Sequence, residues 1–236
     1  MSFDAFIETA WNDHGDRPQE VADRLSASSA IIETAEQIPP FARLVTHVFG
    51  EHLGQWPQGI ALLESLRKLQ AFDGSPAVVS AVARGIAVLR YASGDHAALE
   101  GLAGDDRVAV LAIVASAFAE RGAIAQALAA YGEAVRLGEA GLPPGSPAIR
   151  SLAVGGNQLA VALERKKDRN AAETAGMIAA AEGGLRYWKQ AGTWLEEERY
   201  YQVLPVPARG LSVADEAQRW RSLSPQEQLR RLGVKR

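Results

Sequence analysis

Between Val108 and Gly138 the chain reads VAVLAIVASAFAERGAIAQALAAYGEAVRLG. Leu111, Val114, Ala115 and Phe118 recur there at three- and four-residue steps, which places them on one helical face. Beyond Gly122, Ala127, Tyr131 and Ala134 repeat the pattern. The spacing predicts two antiparallel helices folded about that glycine. Ala115 and Ala127 belong to the same seam as the large residues, because two helices approach closely only where one offers a small side chain to the other's ridge.

The same reading, carried along the chain, predicts helix after helix and no strand. Phe3, Phe6, Ile7, Ala10 and Trp11 share one side of a first helix over Ser2–Asn12, which Gly15 ends. Asp16, Pro18 and Gln19 have the spacing of a helix start, and the second helix is expected to reach about Glu36. Pro39-Pro40 forces a break and places the third helix start near Pro40. Phe41, Leu44, Val45, Val48, Phe49 and Leu53 then form one arm of a hairpin. Gly54–Pro57 is its turn, and Ile60, Leu63, Leu66 and Leu69 its second arm. Ser75-Pro76 opens a helix to about Ala92; after Gly94 comes a short arm, Asp95–Leu102. Gly141–Gly145 is a loop, followed by helices near Pro147–Glu164 and Arg169–Gln190, then Trp194–Leu204. Two short capped helices close the chain, at Ser212 with Asp215 and at Ser224-Pro225 with Glu227. Trp220, Leu223, Leu229 and Leu232 are expected to dock them. The turn glycines 15, 54, 94, 122 and 192 span five periods averaging about 35 residues, close to a known helical-hairpin repeat.

Leu111, Val114-Ala115, Phe118, Ala127 and Tyr131 also fill the slots of the tetratricopeptide repeat, so the stretch at about 108–139 resembles that family. Elsewhere His47, Gly50 and Arg90 stand where the family has small or aromatic residues. The resemblance implies an all-α, right-handed α-solenoid of about six hairpins over residues 1–204, with 205–236 as a helical cap on the same domain. It further implies a concave face lined by the first helix of each hairpin, here Ala109, Ala112, Ser116, Ala119 and Glu120, with Arg84, Val88 and Tyr91 from the preceding unit. Family members that clamp a peptide carboxylate have Lys and Asn where this chain has Ala112 and Ser116, so that clamp is absent.

Composition narrows the function classes. The 236 residues are 47% hydrophobic and 22% charged, with no cysteine; this describes a folded chain without disulfides, thiolate metal sites or a cysteine nucleophile. The start lacks a signal peptide's basic and apolar blocks, and no apolar run approaches the roughly 20 residues of a membrane span. A cytoplasmic location without membrane insertion is expected. Net charge is −3 overall, but residues 1–100 carry −6 and residues 199–236 carry +5. The opposite ends could pair between copies, making a homo-oligomer; as surface charge they are simply solvated. The negative total disfavours nucleic acid.

Chemistry-bearing motifs are few. Phosphate-loop, nucleophile-elbow and His-Glu-x-x-His patterns are missing, and Gly155-Gly156 has no preceding strand to make a dinucleotide turn. His47 and Glu51, four apart, share a helix face. On an α-helix His52 points about 140° from His47, so a metal would need ligands from elsewhere, and an ion pair is the plainer reading. Glu196–Arg199 reads as a solvated face. Tyr187, Trp188, Trp194, Tyr200 and Tyr201 read as core or as a binding surface. The expectation is therefore a non-catalytic interaction module, without cofactor or metal, that presents Arg84, Tyr91, Ala112, Ser116 and Glu120 to a protein or peptide. The alternative is a small-molecule sensor or enzyme with a pocket between hairpins, around His47, Glu51, Arg84 or Tyr91.

Overall fold

The computed structural model of the chain describes residues 1–102 and 104–191. Among them are nine α-helices and no strand. They are α1 (Phe3–Asp13), α2 (Pro18–Ala27), α3 (Ile38–Thr46), α4 (Trp56–Leu66), α5 (Pro76–Ala92), α6 (Gly104–Glu120), α7 (Ile124–Gly138), α8 (Pro147–Arg165) and α9 (Ala171–Ala191). The expected helices and charged run beyond residue 191, with Trp194, Tyr200 and Tyr201, lie outside the described residues.

Most starts and stops follow local chemistry. Ser2 caps α1 by accepting the Ala5 N–H, and prolines occupy the first turns of α2, α3, α4, α5 and α8, where no N–H partner is needed. Gly54 and Gly122 end helical arms at φ of 63° and 73°, in the left-handed region that glycine adopts without strain. Two expectations fail. Asp16 does not cap α2; the residue flanking that helix is Arg17, which makes no side-chain cap. Asp13 instead ties α1 to α2 through Arg24 at 2.7 Å. The second helix also stops at Ala27 rather than Glu36. Ser26 competes for a backbone group there, its hydroxyl donating to the Ala22 carbonyl. Gln37 then gathers the Glu33 and Thr34 N–H groups at 2.7 and 3.2 Å to start a new turn.

Helix α4 packs chiefly on α5 and less on α3, α6 packs on α7, and α8 on α9; after α5 the chain makes a single 3₁₀ turn, His96–Leu99. Helices α3, α5, α6 and α8 also lie against one another in that order. Buried side chains form two clusters. One gathers α1 to α5 around Phe41, Leu44 and Leu63; the other gathers α5 to α9 around Leu111, Tyr131, Leu152 and Leu159. Helix α5 contributes to both, Val82, Ile86 and Leu89 to the first, Ala87 and Val88 to the second. Leu111, Val114, Ala115, Phe118, Ala127, Tyr131 and Ala134 are all buried, as their spacing predicts. Among the described residues no helix is long and apolar enough to cross a membrane.

Glycine pairs set the closest helix crossings. A Cβ on Gly155 would lie 2.6 Å from the Ala112 carbonyl oxygen of α6, and one on Gly156 would lie 2.6 Å from that of Ala180 in α9. Gly183 and Gly184 receive Tyr131 and the α8 backbone from the other side. Tyr131 donates its hydroxyl to the Leu152 carbonyl at 3.0 Å, and burial raises its pKa above the ordinary tyrosine value. Gly183-Gly184 thus permits close packing, and Gly155-Gly156 serves packing rather than a nucleotide.

Gly156→Ala is expected to destabilise the fold by about 2 kcal/mol, because backbone must shift to admit the methyl group. Gly132→Ala, at an exposed α7 position with open space around it, should stabilise by about 0.5–1 kcal/mol. Urea unfolding of both variants checks the pair. Asn170 and Glu173 cap α9 reciprocally, and the second Glu173 oxygen takes Lys166 Nζ at 2.6 Å. Lys166 and then the Asn170 N–H hold the Glu173 carboxyl below its ordinary 4.5 against a smaller effect of burial. A depressed folded pKa adds stability that is present above the unfolded value and lost as pH falls through the folded one. Glu173→Gln should therefore be less stable than wild type near pH 7, with the difference disappearing in unfolding curves measured well below pH 4.5.

Candidate functional site

Helix α3 does not continue in α-geometry to Gly54. From His47 to Leu53 it widens into a π-helical turn, in which each N–H reaches back five residues instead of four. Thr46, at the entry, donates its hydroxyl to the Ala42 carbonyl at 2.8 Å, a back-bond that loosens the turn it spans. Gly50 lets Leu89 of α5 press against the widened turn, since a Cβ there would lie 2.9 Å from that side chain. Residues five apart now stand over each other. His47 and His52, expected to diverge, have their Nε2 atoms 3.1 Å apart. The expectation that they cannot share a face is corrected by this backbone.

A third imidazole arrives from the end of α1. His14 lies with its ring centroid 4.8 Å from His47 and 5.1 Å from His52. Its Nδ1 sits 2.6 Å from the Trp11 carbonyl oxygen, which can only accept, so Nδ1 carries the proton and Nε2 keeps a lone pair. His47 Nδ1 faces Glu51 Oε1 at 3.1 Å and is oriented in the same way. Trp11 backs the cluster, 5.1 Å from both His14 and His47. All three histidines are half-buried and Glu51 is buried. Desolvation first, then the charges of His47 and His14, lower the pKa of His52 from the usual histidine value.

His14, His47 and Glu51 of this cluster line a cleft of about 570 Å³, whose walls also carry residues of both buried cores. Its walls come from α1, α3 with the π turn, α5, α6 and α8. Ser146 fixes the α8 side: its hydroxyl accepts the Ala148 N–H and donates to Asp105 of α6 at 3.0 Å. Arg150 follows one turn later and lies over the Trp188 ring at 5.3 Å. Arg43 of α3 lies over Trp11 at 5.1 Å. Desolvation, then the charge of Arg150, lower the Arg43 pKa, with Glu51 opposing. Arg84 lines the wall as well, but its charge is met by Asp106 at 2.6 Å and by Ser80. Glu51 is the single carboxylate among the lining residues.

The five residues expected to meet a partner are scattered. Arg84 and Ser116 line the cleft, Ser116 on its buried floor. Ala112 is fully buried, its carbonyl covered by Gly155 of α8. Tyr91 packs edge-on against His96 at 4.7 Å, away from the cleft. Glu120 is exposed beside a separate open depression at the α6–α7 turn. Of the pocket alternative, His47, Glu51 and Arg84 come together and Tyr91 does not. Sequence reasoning missed His14, Arg43 and Arg150. Nothing in local spacing connects them, since His14 follows α1 and the two arginines sit on α3 and α8.

Comparison with family models, with curated proteins and with solved structures gives no match. Removing the Asp106 charge tests how far Arg84 depends on it. Asp106→Asn is expected to cost about 1 kcal/mol in chemical unfolding, the order expected for a partly exposed charged hydrogen bond.

Proposed function

We propose that this chain is a helical-repeat binding protein, a tetratricopeptide-like solenoid of hairpins, whose inter-core cleft takes a small anionic molecule bearing a carboxylate or phosphate. The observation that carries this reading is the pair Arg43 and Arg150. They come from α3 and α8, line one cleft, and are both exposed. Among the described residues neither forms an ion pair. Guanidiniums present forked donors of the kind that carboxylates and phosphates accept. An anion would supply the counter-charge that neither guanidinium has, and the cleft volume of about 570 Å³ falls within the range of small-molecule sites. The stacking of α3, α5, α6 and α8 in that order supports the solenoid part of the reading.

A peptide lying along the first-helix face is supported less well, because α8 covers Ala112 where such a groove would run. A protein partner at the depression beside Glu120, Lys166 and Glu173 is the second reading. In either case the role is recognition, and no catalytic step is assigned to the cleft residues.

A thermal-shift screen with phosphate, simple dicarboxylates and sugar phosphates tests the first reading. At least one anion should raise the melting temperature of the wild type, and Arg43→Gln with Arg150→Gln should weaken its binding by about tenfold or more in calorimetry. The reading fails if no anion shifts the melting point, or if the double variant binds as tightly as wild type.

A further inference from the structure

The histidine cluster carries an inference of its own, resting on residues other than the two arginines. One ring nitrogen from each of His14, His47 and His52 lies within 4.8 Å of the others. In a tetrahedral site with metal–nitrogen distances of about 2.0–2.1 Å, ligand nitrogens stand about 3.3 Å apart. His47 and His52 are already at 3.1 Å, and the His14 nitrogen is within 4.8 Å of both. Hydrogen-bonded packing of three imidazoles would not by itself require the other contacts seen here. His14 and His47 each have Nδ1 held, one by a backbone carbonyl and one by a buried carboxylate. Those are the two outer partners that orient metal-binding histidines and leave Nε2 free for the ion. The π turn is a second, independent feature of the backbone that brings His52 onto the same side as His47. With imidazole as the only donor type, the site suits zinc and related divalent transition metals rather than magnesium or calcium.

We propose that His14, His47 and His52 bind one divalent transition-metal ion of the zinc class, with Glu51 orienting His47 and the fourth coordination position turned toward the cleft. His14 and His47 line that cleft, which gives a fourth, non-protein ligand room to enter. Three protein ligands plus one open position is the arrangement in which a bound zinc accepts water or an anionic ligand. Arg43 stands on the Trp11 ring that backs the histidines, so an anion held by the metal would also lie near that guanidinium.

The test uses the untagged 236-residue chain, stripped with a chelator and titrated with Zn²⁺ alone and with Co²⁺ alone. The expected result is one equivalent bound, a higher melting temperature, and visible absorption of a four-coordinate nitrogen-ligated cobalt. Glu51→Gln should weaken Zn²⁺ binding by about 10- to 100-fold. His14→Ala, His47→Ala and His52→Ala should each weaken it further, and His96→Ala should leave it unchanged. Failure to retain a stoichiometric ion, or binding that survives the three alanine substitutions, overturns the proposal. If an alanine variant does not fold, X-ray absorption at the zinc edge of the wild type decides, since three imidazoles support the site and fewer than three reject it. The titrant is the metal alone and both arginines stay in place, so this outcome is independent of whether the anion screen succeeds.

Discussion

Helix α6 is surrounded. From Val108 to Ala119 every residue but Ile113 is buried, because α5, α7, α8 and the π turn all lie against it. A helix enclosed in this way must let its neighbours approach on several sides, and only small side chains permit that. The alanines of α6 serve this need from one side, and Gly155 serves it from the other by resting on the Ala112 carbonyl. Tyr131 then fills the space between α7, α8 and α9, with its hydroxyl on the Leu152 carbonyl. The C-terminal core depends on these approaches.

That enclosure also decides where a ligand could go. With α8 packed down on α6, the inner face of the central hairpin is closed at Ala112, and accessible space survives beside it where the two cores meet. The cleft is therefore walled by helices distant in sequence, and its charged residues are gathered from α3, α5 and α8. Arg84 is neutralised within the fold by Asp106. Arg43 and Arg150 rest on tryptophan faces, which position the guanidiniums while leaving their polar edges free to bond.

The helices and their turns were legible in the sequence because each rests on local physics. A repeat near 3.6 residues marks the buried face of α6, and glycine at positive φ marks the turns at Gly54 and Gly122. What was not legible required knowledge beyond one element. Val48, Phe49 and Leu53 fit an ordinary helical pattern, so their hydrophobicity gives no sign that the backbone around them reaches back five residues. The closeness of His14 to His47 depends on how α1 crosses α3. Ala112 looked available because a solenoid analogy leaves the first-helix face open, whereas Gly155-Gly156, read without its neighbour, gave no direction for the approach it allows. A family slot locates a residue along its helix; what covers that residue is set by the next hairpin.

The π turn has an evolutionary corollary. A π-helical turn differs from an α-helical one by a single additional residue accommodated without breaking the helix. The alignment of His47 over His52 is thus one codon away from a plain helix in which the two rings point apart. Gain or loss of that alignment could follow from one insertion or deletion, with Gly54 still closing the hairpin and α4 still docked behind it. In diverging copies of such a chain, the histidine cluster would change abruptly while the hairpin scaffold drifted gradually, so binding chemistry and architecture could be inherited separately.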